Sequence, residues 1–222
     1  MRNILTAVLV LLLLGLAAGN GLAAKYRPGT YKGSDPGLSG KKHPGNIEVE
    51  VTVDEDSITD IKLIQFEQHN KGMQGKHNAR AKEQIPVAIL RKQSLAVDSV
   101  AKASMSSVGI ELAVAQALQE ATVAYHDGKY KGRAKGYNMP PDHPGEIVVE
   151  VTIEDGRISD IKLLSFKQTA KGKQGKRNIR VQKTVPAAIV EAQSTRVDSI
   201  AKASFASSGI KIAVARALEK AR

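Results

Sequence analysis

The sequence predicts an α+β chain made of two homologous domains of about 100 residues, each an antiparallel hairpin followed by a C-terminal amphipathic helix. Three observations carry this. The second half repeats the first at a constant offset, each half contains an alternating two-strand pattern, and each half ends in a helical pattern. His43-Pro44-Gly45 returns as His143-Pro144-Gly145, and Val97-Asp98-Ser99 as Val197-Asp198-Ser199. From 43 to 110 the offset stays at 100 without a gap, and about half of the positions are identical. Tyr31-Lys32-Gly33 matches Tyr130-Lys131-Gly132 at an offset of 99, so one indel lies between. So long a period fits a duplicated domain and not a solenoid unit. The reading divides the chain into a leader, 1–23, a first repeat, 25–122, and a second repeat, 123–222.

Within each repeat the elements follow from periodicity. Ile47-Glu48-Val49-Glu50-Val51-Thr52-Val53 alternates apolar and polar, the pattern of a half-buried strand. Asp54-Glu55-Asp56-Ser57 reads as a turn and 58–66 as the returning strand. In repeat 2 the turn is Glu154-Asp155-Gly156-Arg157, and Asp-Gly between two such strands is a strong hairpin signal. A Gly/Lys-rich loop is expected over 71–80, then a short helix at Pro86-Val87-Ala88-Ile89-Leu90, with Pro in the first turn. Ile110, Ala113, Val114, Ala117 and Leu118 fall at i, i+3, i+4, i+7 and i+8, one face of an amphipathic helix. Ile210, Ala213, Val214, Ala217 and Leu218 repeat it.

Composition narrows the function. The 222 residues carry 33 Lys+Arg against 22 Asp+Glu, a net charge of +11, and 42% are hydrophobic, enough for a packed fold. Cysteine is absent, which excludes disulfides, Cys zinc sites, iron–sulfur clusters, CxxCH haem attachment and thiol catalysis. Aromatics are 4% and tryptophan is absent, which argues against nucleic acid as a partner. The positive surface suits anionic lipid headgroups, cell-wall polymer or an acidic redox partner. His43 and His143 recur without a carboxylate cluster, a poor metal site. No Ser/His/Asp order or carboxylate pair marks a hydrolase.

The first residues read as an export signal. Met1-Arg2-Asn3 is a short basic head, 4–18 is almost wholly apolar, and Gly21-Leu22-Ala23 supplies small residues for cleavage. Cleavage is expected after Ala23, or after Ala24. The apolar run is short against the roughly 20 residues that span a bilayer. Left uncleaved, it would hold the chain at a membrane.

The segment with most chemical content is Asp98-Ser99-Val100-Ala101-Lys102-Ala103-Ser104-Met105-Ser106-Ser107, with its twin Asp198-Ser199-Ile200-Ala201-Lys202-Ala203-Ser204-Phe205-Ala206-Ser207. Both run into the last helix. A helix N-terminus presents free N–H groups and partial positive charge. Hydroxyls there cap the helix, or the same N–H groups hold a phosphate, with Lys102 and Lys202 adding charge. The segment Lys71-Gly72-Met73-Gln74-Gly75-Lys76 recurs as Lys171-Gly172-Lys173-Gln174-Gly175-Lys176. Its glycines would let a backbone approach a ligand, but its spacing is not that of a P-loop. Asn78 and Arg80, with Asn178 and Arg180, are further candidates for a phosphate or acidic partner.

The motif resembles that of the FMN-binding domain family, found in the flavin-carrying NqrC/RnfG-type subunits of respiratory ion-pumping complexes. The family pattern is D-x-x-S-G-A-T-x-T-S, and its first Thr carries FMN through a phosphodiester installed by an exported flavin transferase. Gly29-Thr30-Tyr31-Lys32-Gly33, the hairpin, Ile85-Pro86 and Val190-Glu191-Ala192-Gln193-Ser194 also resemble the family, so the likeness covers nearly the whole chain after the leader, twice. It implies Ser104 and Ser204 as acceptors after Ala103 and Ala203, with Asp98 and Asp198 as the motif Asp. Met105, Phe205, Ser106, Ser107 and Ser207 fill the rest of the motif, and Gly72, Gly75, Gly172 and Gly175 lie where a family loop covers the flavin. Departures are shared: Ser replaces Thr, Lys102 and Lys202 replace Gly, and Ala101 and Ala201 replace the preceding hydroxyl. Ala206 alone loses the hydroxyl that Ser106 keeps. Serine retains the nucleophilic oxygen, so ester chemistry stays open.

The resulting expectation is an exported protein carrying FMN in each repeat, linked at Ser or tightly held. It would be an electron carrier or redox subunit rather than a complete enzyme, working with membrane or extracytoplasmic redox partners. The alternative is a flavin-free tandem module that binds an anionic ligand or a respiratory-complex partner.

Overall fold

The computed structural model describes residues 24–37, 45–136 and 145–222. The leader over 1–23 and His43 and His143 lie outside them. Repeat 1 consists of β1 (Gly29–Asp35), β2 (Asn46–Val53), β3 (Ile58–Glu67), α1 (Gly72–Lys92) and α2 (Ser104–Ala121). Repeat 2 consists of β4 (Gly128–Lys135), β5 (Glu146–Glu154), β6 (Arg157–Phe166), α3 (Gly172–Ala192), α4 (Ser204–Leu218) and a 3-10 turn, Glu219–Ala221. Each repeat is a three-stranded antiparallel meander, β1-β2-β3 and β4-β5-β6, with its helices following. This is the α+β duplication that the sequence predicts.

The hairpin reading holds in detail. Ile47, Val49, Val51 and Val53 are buried while their neighbours are half-buried, so one face of β2 meets the core. Asp155 and Gly156 both have positive φ, 52° and 70°, which matches the twist of the two-residue hairpin β5–β6. The first strand of each repeat was not legible as a strand. β1 pairs with β2 in the register Tyr31↔Val51 and Gly33↔Val49. Gly33 explains part of that sequence: a Cβ there would collide with the carbonyl oxygen of Ala113, so the strand admits the α2 backbone directly against it. Gly132 does the same beneath Ala213.

Two sequence expectations are corrected. The stretch over 71–80 is no loop. It is the first half of α1, a single 21-residue helix that continues through Pro86, and α3 repeats this around Pro186. Gly75 permits it, because a Cβ there would run into the backbone of Asn70, where the chain turns in from β3. The helix ends at Gln93, held at φ 52°. Its side-chain Oε1 accepts from the Ile58 amide at 2.7 Å, and its Nε2 donates to the Ile58 carbonyl at 2.9 Å. Gln193 ties α3 to Ile158 in the same way.

The second correction concerns the last helix, which is apolar on one face in sequence but buried on nearly all sides. Glu111, Leu112, Ala115 and Gln116 are as enclosed as the predicted stripe. The reason is that α2 lies between its own sheet and α4 of the other repeat. The buried apolar residues of both repeats form one continuous cluster. The repeats also lock reciprocally at the loops that follow α1 and α3. Glu219 accepts from the Leu95 amide at 3.0 Å and the Ser94 hydroxyl at 3.1 Å. Gln119 accepts from the Thr195 amide at 3.2 Å and the Thr195 hydroxyl at 3.1 Å.

Candidate functional site

The motif folds as a tight turn at the start of each terminal helix. Ala103 is the N-cap of α2 and Ser104 the first helical residue, and Ala203 and Ser204 stand likewise in α4. The cap residue therefore has no side chain with which to satisfy the helix, and the first turn holds no acid. Capping by a serine hydroxyl at this position is thereby removed as the explanation of the motif. The first N–H groups of the helix thus have no side-chain cap, and Ser104 at its first position is exposed.

Lys102 and Lys202 stand where the resembled motif has Gly, and both keep the left-handed conformation that Gly favours, at φ 65° and 62°. The turn is preserved although its permissive residue is gone. Other residues hold it in place. Ala103 N–H bonds the Val100 carbonyl at 2.9 Å, and the buried Ser107 hydroxyl accepts from the Val100 amide at 3.0 Å. Ser207 accepts from Ile200 at 3.1 Å. These two serines are internal braces of the turn. Gln74 of α1 donates to the Lys102 carbonyl at 3.0 Å and to Asn78 at 3.0 Å. Ser106, fully enclosed, lies 3.1 Å from Gln68 Oε1 and 3.0 Å from Asn78 Oδ1. Ala206 has no oxygen for that contact.

A cavity of about 1300 Å³ opens over the repeat 1 motif. Asp98, Lys102, Ala103, Ser104, Met105 and Ser106 line it, together with Gln74 and Asn78. Its opposite wall is repeat 2: Arg133, Lys135 and Glu146 from the sheet, and Phe205, Ile212 and Arg216 from α4. Lys167 at 2.6 Å and the Ser165 hydroxyl hold the Glu146 carboxyl below its usual range. Of the twin motif only Phe205 reaches this cavity. Asp198 lines a smaller one of about 590 Å³, walled by repeat 2 residues, whose lining includes neither Lys202 nor Ser204. Gly72, Gly75, Gly172 and Gly175 line neither cavity and serve the helix starts. Sequence reasoning missed Gln68, Gln74 and, apart from Phe205, the repeat 2 wall. The repeat alignment carried a signal for the wall, since buried positions 111 and 116 differ in charge from 211 and 216.

The donor set suits a flavin mononucleotide. Exposed Ser104 and Lys102 at a helix N-terminus match its phosphate, while Val97, Met105, Val108, Phe205 and Ile212 give the cavity an apolar side for a ring system. A set of three or more metal-binding side chains is not found among the described residues. Nor, among them, is any helix long and apolar enough to cross a membrane.

No curated protein matches the chain. Among solved structures, the crystal structure of the CPE2226 protein from Clostridium perfringens is similar at 19% identity and a TM-score of 0.33, over 44% of this chain and 88% of that one. The family model for the FMN-binding domain matches twice, over 43–119 and 142–219. The chain thus belongs to the FMN-binding domain family and carries that domain in tandem, with FMN as its cofactor.

Proposed function

We propose that this is an exported FMN protein that passes electrons outside the cytoplasm, its flavin phosphate seated on Ser104. The observation that carries the proposal is the turn over 98–104. It sets an exposed hydroxyl on the first residue of an uncapped helix, beside a lysine held in a left-handed conformation, at the rim of a large cavity. Bound FMN supplies the redox chemistry. The chain supplies a place for the phosphate among the α2 N–H groups and Lys102, and apolar walls that shelter the ring from water. For the covalent form, the Ser104 oxygen gives up its proton and forms the ester bond to phosphorus, as the leaving group of an activated flavin nucleotide departs. An exported flavin transferase is the partner for that step. A membrane-bound or extracytoplasmic donor and acceptor are the partners for electron transfer, and the basic surface favours acidic ones. The pattern over 1–23 supports export.

The test is the intact mass and N-terminal sequence of the chain exported from cells that also make a flavin transferase. A start at Ala24 or Lys25 and a mass raised by FMN, with the increment lost in Ser104→Ala, is the expected result. An unmodified mass removes the covalent linkage, and an unprocessed N-terminus removes cleavage of the signal.

A further inference from the structure

We propose that the two repeats are unequal, and that the chain holds one FMN, at the repeat 1 motif, with repeat 2 serving as the second wall of that site. This rests on the reading of the chain as an FMN carrier and specifies which of its two motifs is loaded.

The argument compares equivalent spaces on the two sides of the interface. On the repeat 1 side, the residue two before the motif Asp is Ala96, and the penultimate residue of the facing strand β4 is Ala134. Both are small, both line the cavity of about 1300 Å³, and Ser104 stands on its rim. On the repeat 2 side, the same two positions are Arg196 and Asp35. Arg196 extends across to α2, its Nε donating to Gln116 at 2.9 Å and its Nη2 to Glu120 at 3.1 Å. Asp35 is enclosed with Lys211 at 3.1 Å, and Lys211 also donates to the Val197 carbonyl at 3.4 Å. Arg196 and Asp35 thus take volume that the methyl groups of Ala96 and Ala134 leave open opposite, while Lys211 and Gln116 stand where Glu111 and Arg216 stand on the repeat 1 side. The larger side chains leave less room there for a planar ring.

The remaining differences point the same way. Repeat 1 keeps the Ser106 hydroxyl, engaged with Gln68 and Asn78, whereas repeat 2 has Ala206. Position 105 is a buried Met in repeat 1, while its counterpart Phe205 is more than a third exposed and lines the repeat 1 cavity. An aromatic offered across the interface is a suitable neighbour for an isoalloxazine ring.

The test counts flavin per chain in full-length protein made with a flavin transferase and FMN and then dialysed. Flavin absorbance is read against protein concentration. One flavin per chain is expected. Ala96→Arg installs in repeat 1 the residue that repeat 2 already carries on the same backbone, since the Arg196 amide donates to the Ser194 hydroxyl oxygen and the Ala96 amide to that of Ser94, both at 3.1 Å. At this place the Gln116 and Glu120 that hold Arg196 are replaced by Arg216 and Lys220, so the uncharged Ala96→Gln is made beside it, and each variant, once shown to be folded by circular dichroism, is expected to reduce flavin content at least about tenfold. Phe205→Ala, on the other repeat, is expected to raise the fluorescence of the retained flavin severalfold, and unchanged fluorescence would remove repeat 2 as a wall. Two flavins per chain overturn the inequality while leaving the FMN reading intact. So does a single flavin that survives Ala96→Arg and disappears in Ser204→Ala. No flavin at all overturns the FMN reading itself, and the inference with it.

Discussion

In the two buried ion pairs between the repeats, repeat 1 brings the acids and repeat 2 the bases. Glu111 on α2 meets Arg216 on α4 at 2.8 Å, and Asp35 at the end of β1 meets Lys211 at 3.1 Å. The equivalent residues are Lys211 for Glu111, Gln116 for Arg216 and Ala134 for Asp35. Two copies of repeat 1 in this arrangement would set Asp35 against Glu111, and two copies of repeat 2 would leave Lys211 without an acid. Only the mixed pair neutralises its buried charge. Duplication made two like domains, and divergence at a few enclosed positions made them complementary. The comparison teaches that the site is a property of the pair, because the same asymmetry that locks the interface leaves one motif open and fills the other.

The strongest way to break that comparison is at Arg216. Its guanidinium bonds Glu111, the Leu95 carbonyl at 3.0 Å and the Val97 carbonyl at 3.2 Å, so one side chain of repeat 2 holds the loop that leads into the repeat 1 motif. Arg216→Ala strands a fully enclosed carboxylate and frees that loop. A loss of about 3–5 kcal/mol is expected in denaturant unfolding. A loss under about 1 kcal/mol would mean the repeats do not depend on this pair.

A smaller effect sharpens the same contact. Burial pushes the Glu111 carboxyl up from 4.5 to about 7, against the pull of Arg216, which meets only one of its oxygens. Glu111 Oε1 is buried without a hydrogen-bond partner. The folded chain therefore binds this proton more tightly than the unfolded one. The stabilisation is complete below the unfolded value and is lost as pH rises through about 7. Thermal midpoints should fall as pH rises from 4.5 to about 7, and Glu111→Gln should flatten that slope. A slope unchanged in the variant would place the titration elsewhere.

The duplicated hairpin, the motif and the terminal helix were legible because each rests on a local pattern: alternation, a fixed offset, a 3.6-residue period. The helix over 72–92 was not, because Gly72, Gly75 and four nearby cations resemble a solvated loop, and only the contact of Gly75 with the Asn70 backbone shows why glycine is needed inside a helix. Asp35 and Ala96 carried no signal in isolation. Their meaning depends on which residue of the other repeat they face, and no period within one repeat encodes that. Glu111 was readable in part, since an acid on a helix that proves enclosed on all sides asks for a partner, but the partner lies 105 positions away.

The finest comparison is between Lys102 and Lys202, which share a backbone conformation and differ in surroundings. Each holds a side-chain-bearing residue at positive φ, a cost of about 1 kcal/mol relative to glycine. Lys102→Gly and Lys202→Gly should each stabilise the fold by about that amount in denaturant unfolding. If the lysines serve only the turn, the two variants will match in every respect. If Lys102 also faces a flavin phosphate, its loss should weaken FMN retention several-fold despite the gain in stability. Lys202→Gly should then stabilise without that penalty, because Lys202 lies outside the cavity that Lys102 lines. Stability and flavin content moving in opposite directions for one lysine alone would separate the conformational demand of the turn, which both repeats meet, from the electrostatic demand of a ligand, which one repeat meets.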